Sequence, residues 1–439
     1  MDKKQSLPLH IVILAAGKST RMRSMLPKVL HPLAHKPALA WVIDTATTLE
    51  PASITLVLGA DHAPFAEIVA RYPDLQIATQ AKADGTGGAL KAAPLPQEGI
   101  VVVLYGDTPF IQPETIRHLC RFLQEDRACG AAVLGFKYAS PHHAYGRFIL
   151  DAKQRLTNII EDTEADAATK SITLCNAGFM AIRASLLQEG LKHLPLHPGK
   201  QEYYLTDLVA WLHQQGHTVH PYYCDPTEVI GINTREELAM AEGFAQLSLR
   251  RSLLASGVSM PAPETVMLSA DTCIGEESVV EPYVVFGPGV TIGKHCHIRS
   301  FSYLEGCTAA DSVVIGPYAR LRPGTVIEEE ARVGNFVEIK KSHIGRGSKI
   351  PHLSYIGDTT MGAGCNIGAG TVTCNYDGKQ KHQTLLGDNV FVGSNSALIA
   401  PITLGNNAMV GAGTTVTKPV GAGELALNNA EQKRLRKKL

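Results

Sequence analysis

The feature that most constrains the fold of this chain is a six-residue repeat of aliphatic residues between positions 274 and 416. A helix completes a turn about every 3.6 residues and would scatter such residues around its axis, whereas six is a multiple of the two-residue period of a strand. The repeat therefore predicts short strands that turn a corner every six residues, as in a hexapeptide β-helix. The repeating positions are Ile274, Val280, Phe286, Ile292, Ile298 and Leu304; Ile315, Leu321, Ile327, Val333 and Ile339; Ile344, Ile350 and Ile356; and Leu386, Val392, Leu398, Leu404, Val410 and Val416.

An ordinary β-sandwich with accidental spacing is the alternative to a β-helix. Strands of a sandwich do not keep one register across so many repeats, whereas stacked coils bury an aliphatic ladder that no single repeat could bury alone. We therefore expect a parallel β-helix with a C-terminal tail over residues 259–439. A polar segment with an Asp-Gly turn interrupts the repeat at 374–384. Insertions of this kind form loops on one face of a solenoid, often the working face.

The bulk composition argues against several classes of partner. Lysine plus arginine and aspartate plus glutamate both number 41, so we expect neither a nucleic-acid partner nor a membrane partner. No apolar run approaches the roughly 18–20 residues of a membrane span, and residues 1–10 lack the apolar core of a signal peptide. The nine cysteines form no Cys-x-x-Cys pair, which favours reduced thiols in a cytoplasmic protein and argues against a zinc site. A basic cluster at 433–438 is either a solvated tail or a phosphate-contacting one.

The first half of the chain alternates between predicted strands and helices. Near-continuous apolar runs at 11–14, 54–58 and 101–105 suit parallel strands that are covered on both faces. Helical patterns lie between them, at 38–49 and 113–123. This layout predicts an α/β class of fold with a doubly wound, Rossmann-like domain over 1–232, in which ligands bind beyond the carboxyl ends of the strands.

A linking helix is predicted between the two domains. Thr234 followed by Glu237 has the spacing of a capping box, and the helical pattern continues to about Ala255 and stops near Gly257. We therefore assign residues 233–258 to a linker.

A glycine-containing turn follows the first strand, in LAAGKSTRM at 14–22 and LPKVLH at 26–31. A P-loop would need glycine where this chain has Val12, so we reject that motif. Free backbone N–H groups together with Arg21 and Lys28 nevertheless suit a triphosphate.

A carboxylate ends the third strong strand, at Asp107 after Tyr105 and Gly106. Mg²⁺ prefers one or two carboxylate or amide oxygens, with waters and substrate phosphates completing its coordination. Asp107 is therefore a candidate magnesium ligand. The alternative is a helix N-cap, because Thr108 and Pro109 follow.

The two motifs at 14–22 and 26–28 resemble the signature of sugar-1-phosphate nucleotidylyltransferases. With the hexapeptide repeat behind them, nearly the whole chain resembles the family of bacterial bifunctional N-acetylglucosamine-1-phosphate uridylyltransferases and glucosamine-1-phosphate N-acetyltransferases. The resemblance implies a left-handed β-helix, a homotrimer, Mg²⁺ as cofactor, and UTP, acetyl-CoA, glucosamine 1-phosphate and N-acetylglucosamine 1-phosphate as substrates.

The resemblance also implies a set of residues for the uridylyltransferase site. Those for UTP are Leu14, Ala15, Ala16, Gly17, Arg21 and Lys28, with Gln80, Gly85 and Thr86 on the uracil; those for the sugar nucleotide are Tyr105, Gly106, Gly146, Glu161 and Asn176; those for Mg²⁺ are Asp107 and Asn233. The family commonly has Asn-Thr-Gly where this chain has Asn-Ala-Gly at 176–178, so a hydroxyl contact to the sugar is expected to be missing. Catalysis would rest on positioning and electrostatics, because the attacking phosphate is already ionised.

The β-helix carries polar residues that a plain scaffold would leave at its surface. Together they resemble the acetyltransferase site of the same family, with His352 as the general base, which suits the neutral pKa of histidine, and Glu338 as a helper. The implied contacts to the sugar phosphate are Arg322, Lys340, Tyr355 and Asn366, and those to acetyl-CoA are Ala369, Asn375, Tyr376, Ser394, Ala412 and Asn429. The family often has arginine where this chain has Asn429, which makes coenzyme binding the point of greatest departure.

Three functions are compatible with these patterns. The leading one is acetylation of glucosamine 1-phosphate followed by uridylyl transfer to the product, which gives UDP-N-acetylglucosamine. The second keeps only the nucleotidyl transfer, with a structural or regulatory β-helix. The third is a non-catalytic nucleotide-sugar-binding or scaffold protein, which would not need the magnesium ligands Asp107 and Asn233.

Overall fold

The computed structural model describes residues 7–17, 20–138, 145–199 and 201–428. The chain divides into two compact units, Met1–Ala241 and Glu242–Leu439. In the described ranges, no helix is long and apolar enough to cross a membrane. All nine cysteines lie in these ranges, and each is a free thiol.

In its described residues, the first unit contains a nine-stranded mixed sheet and seven complete α-helices. Its strands are β1 Leu9–Leu14, β2 Pro32–Leu33, β3 Lys36–Pro37, β4 Ser53–Leu58, β5 Gln76–Thr79, β6 Ile100–Tyr105, β7 Cys129–Lys137, β8 Arg147–Leu150, β9 Leu156–Ile160, β10 Leu174–Arg183, β11 Leu196–His197, β12 Glu202–Tyr203 and β13 Thr218–Cys224. Its helices are α1 Ala38–Thr47, α2 Ala66–Arg71, α3 Gly85–Lys91, α4 Pro113–Glu125, α5 Ala167–Lys170, α6 Ala184–His193 and α7 Asp207–Gln214.

The sheet runs in the order β13-β7-β10-β6-β1-β4-β5, with β8 and β9 added beside β10. The three apolar runs predicted as strands become β1, β4 and β6, which are parallel to one another and end at one edge. Strand β10 is antiparallel to both β6 and β7, so the sheet is mixed on that side. Residues of α1 and α4 pack on one face and those of α3, α6 and α7 on the other. The strands are therefore covered on both faces, as their apolar composition requires.

Helix α8 spans Arg235–Ala255, at the position of the predicted linking helix. The hydroxyl of Thr234 accepts a hydrogen bond from the amide of Glu237 at 3.1 Å. The carboxylate of Glu237 accepts in return from the amides of Asn233 and Thr234 at 2.7 and 2.9 Å. This reciprocal arrangement is the predicted capping box. Gly257 follows the helix with φ of +93°, which suits the left-handed conformation that ends many helices.

The second unit is a parallel β-helix with three faces. Strands of the first face are Cys273–Ile274, Thr291–Ile292, Cys307–Ala309, Thr325–Ile327, His343–Ile344, Thr359–Met361, Thr384–Leu386 and Ile402–Leu404. Those of the second face are Val279–Val280, His297–Ile298, Val314–Ile315, Arg332–Asn335, Lys349–His352, Asn366–Ile367, Phe391–Val392, Met409–Val410 and Leu425–Ala426. Those of the third face are Val285–Phe286, Tyr303–Leu304, Arg320–Leu321, Glu338–Lys340, Tyr355–Gly357, Val372–Cys374, Ala397–Ile399 and Thr415–Val416.

The repeating aliphatic residues form one continuous core inside the β-helix. Ile274 pairs with Ile292, 18 positions along, but Ile292 pairs with Ala309, only 17 positions along. The six-residue series break at such places because one corner of the coil is a residue shorter. The polar insertion at 374–384 adds residues between Met361 and Leu386, which still lie side by side on the first face. Coil length thus varies at the corners while the inward ladder is kept.

Candidate active sites

A cavity of about 880 Å³ lies at the carboxyl edge of β1 and β6 in the first unit. It contains most residues that the sequence assigns to the uridylyltransferase site. Those lining it are Leu14, Ala15, Ala16, Gly17, Lys28, Gln80, Gly85, Thr86, Tyr105, Asp107, Glu161 and Asn176. Four predicted residues, Arg21, Gly106, Gly146 and Asn233, do not line the cavity itself. Lys18 and Ser19 of the glycine-containing turn lie outside the described part of the chain.

Lys28 joins the two predicted metal ligands beside this cavity. Its ammonium forms an ion pair with Asp107 Oδ2 and donates to Asn233 Oδ1 at 2.8 Å. Arg21 Nη2 also donates to Asn233 Oδ1, at 3.1 Å. The amide of Ile232 donates to the carbonyl of Asp107 at 2.9 Å, which ties the chain between β13 and the linking helix to the end of β6. Residues 126 positions apart therefore meet at one point. Asp107 is not an N-cap, because the next helix begins at Pro113.

The same geometry bears on the fit of a magnesium ion. One carboxylate oxygen and one amide oxygen converge on a single positive group, Lys28 Nζ. That donor set is the kind Mg²⁺ accepts when waters and substrate phosphates supply the remaining ligands. Within the described ranges, no cluster of three or more His, Cys, Asp or Glu side chains could hold a metal by itself. Asp107 and Asn233 thus fit a substrate-completed magnesium site.

The predicted uracil end of the cavity is built on Gln80, which is buried. Its amide nitrogen donates to Asp84 Oδ1 at 2.8 Å and to the carbonyl of Gly85 at 3.0 Å. The side-chain oxygen of Gln80 is then oriented as an acceptor, which an imide N–H such as that of uracil can use. Gly85 has φ of +90°, and a Cβ there would lie 2.6 Å from the carbonyl oxygen of Tyr203. Only glycine fits at this point.

The predicted sugar end draws residues from three neighbouring strands or from the chain directly beside them. Gly146 precedes β8, Glu161 follows β9 and Asn176 lies in β10. The amide of Asn176 donates to the carbonyl of Gly146 at 2.8 Å. Asn176 Oδ1 accepts from the amide of Gly178 at 2.9 Å, so its side-chain nitrogen is the group left to donate to a sugar. Ala177 supplies no hydroxyl in this turn.

Eight further residues line the cavity that the sequence analysis did not assign to the site. They are Val29, Ala83, Ala89, Asp162, Thr163, Glu202, Tyr204 and Thr206. Thr206 donates to Glu161 Oε1 at 3.2 Å, which holds a predicted sugar ligand. The segment at 202–206, which forms part of the cavity wall, contains no sequence motif. Its place in the site is seen only in the fold, where β11 and β12 pair. Burial, together with the charges of Asp107 and Glu161, raises the pKa of Tyr105 at the cavity floor, so its phenol stays protonated.

In the second unit, the third face gathers the predicted phosphate ligands. Arg322 Nη1 forms an ion pair with Glu338 Oε1 at 2.9 Å. The side chain of Lys381, from the inserted loop, contacts Lys340 and lowers its pKa, with partial desolvation and Arg322 acting in the same direction. Three cations thus lie together on one chain, and a phosphate dianion would relieve their mutual repulsion.

His352 ends a strand of the second face, beside Asn335 of the preceding coil. Its Nδ1 lies 2.5 Å from Asn335 Oδ1. Because that oxygen is an acceptor, Nδ1 carries the proton in neutral His352, and Nε2 is left as the basic atom. The sequence analysis did not name Asn335. Only the register between coils brings it to the imidazole.

The remaining predicted acetyltransferase residues lie on neighbouring coils. Buried Asn375 donates to Asp358 Oδ2 at 2.5 Å, so Asp358 holds it in place. The hydroxyl of Tyr355 covers Gly357, where a Cβ would lie 2.5 Å from it. Tyr376 is largely exposed and donates to the carbonyl of Gly378 at 2.7 Å. Asn366 lies half-buried on the second face.

The predicted acetyl-CoA groove corresponds to a column of small residues above His352. Ala369 and Ser394 accept hydrogen bonds through their carbonyls from Asn395 and Gly413 of the next coils, at 2.7 and 2.8 Å. Ala412 occupies the equivalent place one coil further along. Small side chains leave room for an extended thioester ligand along this edge. Asn429, predicted at the coenzyme phosphates, lies outside the described residues.

Comparisons with known proteins give the family to which both units belong. The MobA-like NTP transferase domain matches residues 11–173, the bacterial transferase hexapeptide (six repeats) matches 271–306, and the hexapeptide repeat of succinyl-transferase matches 383–418. The bifunctional protein GlmU of Roseobacter denitrificans is 46% identical over 397 residues, covering 89% of this chain and 87% of the relative. That of Sphingopyxis alaskensis is 45% identical over 428 residues, covering 97% and 94%. This chain belongs to the GlmU family.

Membership in the family confirms several predictions made from the sequence. The fold is a Rossmann-like nucleotidyltransferase domain followed by a left-handed parallel β-helix of hexapeptide repeats. The protein is a bifunctional transferase for UDP-N-acetylglucosamine synthesis that acts on small-molecule substrates. This outcome argues against the alternatives of a nucleotidyltransferase alone and of a non-catalytic scaffold.

Proposed function

We propose that each unit supplies the catalytic groups of one of the two reactions. Residues 1–232 would transfer the uridylyl group, 233–258 would link, and 259–439 would acetylate. Glucosamine 1-phosphate is acetylated first, and the N-acetylglucosamine 1-phosphate formed then reacts with UTP. The observation that carries this assignment is the meeting of Lys28, Asp107 and Asn233 beside the cavity. A scaffold that only binds a sugar would have no use for two ligands of a divalent cation.

The uridylyl transfer follows from the placement of charge in the first unit. An oxygen of the sugar 1-phosphate attacks the α-phosphorus of UTP in line, and pyrophosphate leaves with the electron pair of the broken P–O bond. Arg21 and Lys28 offset the charge that develops on the phosphates. No general base is required, because the attacking oxygen is already ionised. Gln80 and Asn176 fix the two ends of the complex, so that the reacting groups are held in position.

Mg²⁺ is the proposed cofactor of this reaction, held by Asp107 and Asn233. When bound, it would neutralise phosphate charge and orient the phosphates. Lys28 contacts both ligands, so it would share the substrate phosphates with the ion once substrates enter.

The acetyl transfer is assigned to His352. The amine of glucosamine 1-phosphate attacks the thioester carbonyl of acetyl-CoA, Nε2 of His352 takes a proton from that amine, and coenzyme A leaves as the thiol after protonation. Arg322, Lys340 and Lys381 hold the phosphate of the sugar. Asn375, which Asp358 fixes in place, and Tyr376 would position the thioester. Tyr355 and Asn366 would contact the sugar.

We also propose that the working form is a cytoplasmic homotrimer. Free thiols at all nine cysteines fit a reducing compartment. Four exposed aromatic rings, Tyr283, Phe301, Tyr318 and Phe336, stack along the corner between the second and third faces, with centroids 5.0–5.2 Å apart. An exposed apolar column of this length supports contact with another copy. It leads to His352 on the next coil, so the neighbouring copies would complete the acetyl site.

Two variants of the full chain test the assignment of the reactions. Asp107→Ala is expected to lower pyrophosphate release from UTP and N-acetylglucosamine 1-phosphate by about 10²-fold or more, because it removes a charge that holds the ion and the phosphates. Acetyl transfer, followed by the free thiol of coenzyme A, should be unchanged. His352→Ala should give the reverse. If either variant lost both activities while remaining folded, the division between the units would be wrong.

A further inference from the structure

The three sugar ligands of the first unit lie in one row across neighbouring strands. Arg147 pairs with Ile160 of β9 on one side and with Cys175 of β10 on the other. One step along each antiparallel strand, Gly146 therefore lies between Glu161 and Asn176. Any change in how β8 meets β9 and β10 would separate these residues.

Arg147 begins β8, and its side chain is 0% exposed. Its Nη1 forms an ion pair with Asp162 Oδ1 at 2.8 Å and also donates to the carbonyl of Tyr145. Asp162 directly follows Glu161 and is half-buried at the cavity wall. A buried guanidinium is costly unless it is paired and hydrogen-bonded, so this pairing is a strong constraint on the local backbone.

We propose that the Arg147–Asp162 ion pair is a positioning device for the sugar phosphate. The ion pair ties the chain after β9 to the start of β8, and so holds Glu161 and Gly146 at the spacing that Asn176 requires. Arg147 and Asp162 themselves need not touch the reacting atoms. The proposal rests on the proposed uridylyltransferase site and adds to it the residues that set its sugar affinity.

The sheet order explains why the effect would be confined to one substrate. Strands β8, β9 and β10 lie on one side of β6, whereas β1, β4 and β5, which lead to the nucleotide residues Lys28 and Gln80, lie on the other. A relaxation of β8 against β9 therefore displaces the sugar ligands and leaves the UTP ligands in place.

Asp162→Asn tests the proposal with little change in shape. We expect the KM for N-acetylglucosamine 1-phosphate to rise about tenfold or more, because a displacement near 1 Å in a binding group has effects of this size. The KM for UTP should stay within about twofold, since its ligands belong to other strands. Arg147→Lys, which keeps the charge, should be affected less than Arg147→Gln.

A matched control comes from the other end of the same hairpin. Arg155 forms an ion pair with Asp151 at 2.7 Å, but it is partly exposed and distant from the row of sugar ligands. Arg155→Gln should leave both KM values unchanged. Acetyl transfer by the second unit, measured on each purified variant, reports whether the protein remains intact, and thermal unfolding of each variant reports the stability of the first unit.

The outcomes separate the two proposals. If the unaltered protein released no pyrophosphate from UTP and the sugar phosphate, the uridylyltransferase assignment itself would fail. If it were active and Asp162→Asn raised both KM values equally, or neither, the pair would be only structural and the positioning role would be overturned. The positioning role is supported if Asp162→Asn raises only the KM for the sugar phosphate. It is supported further if Arg147→Lys raises that KM less than Arg147→Gln does.

Discussion

Gly178 lies two residues after the predicted sugar ligand Asn176 and has a conformation that other residues avoid. Its φ is +90°, and a Cβ there would lie 2.8 Å from a ring carbon of Tyr105 at the cavity floor. Gly178→Ala should therefore cost about 1–3 kcal/mol of stability from backbone strain and crowding. It should also raise the KM for the sugar phosphate, because the turn that holds Asn176 must shift. Urea unfolding and steady-state kinetics measure the two effects.

Gly216 provides the control for Gly178. Its φ is +82°, but a Cβ there would meet nothing within 4 Å. Gly216→Ala should lose about 1 kcal/mol of stability, from backbone strain alone, and its kinetics should be unchanged. Equal kinetic effects from the two substitutions would mean that contact with Tyr105 has no part in sugar binding.

Single residues were predictable from the sequence where a motif marks them. Asp107 could be named because it ends a strong strand, and Asn233 because the family resemblance supplied it. That Lys28 contacts both could not be read from the chain, since their meeting depends on the fold. Asn335, Asp358 and Asp162 went unnoticed for the same reason. Each acts through a neighbour that only strand register or loop packing brings near.

At the scale of elements, periodicity predicted more than local propensity did. The aliphatic repeat defined which side chains point inward, and the structure places them in one core. The 17-residue coils were not predicted, because a one-residue deletion at a corner leaves no signature beyond a break in the series. The antiparallel β10 was also unforeseen, since a buried strand is apolar in either direction.

The hairpin of β11 and β12 is joined to the sugar side of the cavity through His197. Its ring stacks on Tyr204 with centroids 4.2 Å apart, and its nitrogens lie 2.8 Å from Asp207 and 3.3 Å from Glu164. The hydrogen bond with Asp207, followed by the charges of Asp207 and Glu164, raises the pKa of His197 above its ordinary 6.5. Protonation therefore strengthens the join between the hairpin, α7 and the chain after β9.

The sign of this shift predicts how stability depends on pH. Because the pKa of His197 is higher in the folded protein, its contribution is fully present below about pH 6.5 and is lost as the pH rises through the folded pKa. Burial raises the pKa of Asp207 as well, which acts in the same direction at lower pH. The first unit of the native protein should thus unfold at a higher temperature than His197→Gln at pH 6, and the difference should shrink by pH 8. A difference that grew with pH would contradict this account.

The whole molecule consists of two units, each with its own hydrophobic core and its own set of chemical groups. The cavity of the first unit is lined by residues of that unit alone. The groups of the second unit instead lie along an exposed edge of the β-helix, where Tyr376 and the small residues above His352 have open surface beside them. The uridylyl site is therefore expected to work in a single chain, whereas the acetyl site is expected to need neighbours.

Phe336 allows this dependence on neighbours to be tested. It is 54% exposed and ends the stacked aromatic column, one residue after Asn335, the partner of His352. Phe336→Glu would place an unpaired carboxylate in the proposed contact between copies, which costs several kcal/mol, so the proposed trimer should dissociate. Sedimentation velocity should then show a monomer that has lost at least about tenfold in acetyl transfer and keeps its uridylyl transfer.

Val326 supplies the matched control, because it is 43% exposed on the first face, opposite the corner that carries the aromatic column. Val326→Glu adds the same charge at similar exposure and should leave both the assembly and the two activities unchanged. If Phe336→Glu gave a monomer that still acetylated at the native rate, a single β-helix would hold the entire acetyl site. If both variants dissociated the trimer, the contact would not be specific to the aromatic corner. Loss of acetyl transfer only when that corner is charged would place the second active site between copies of the chain.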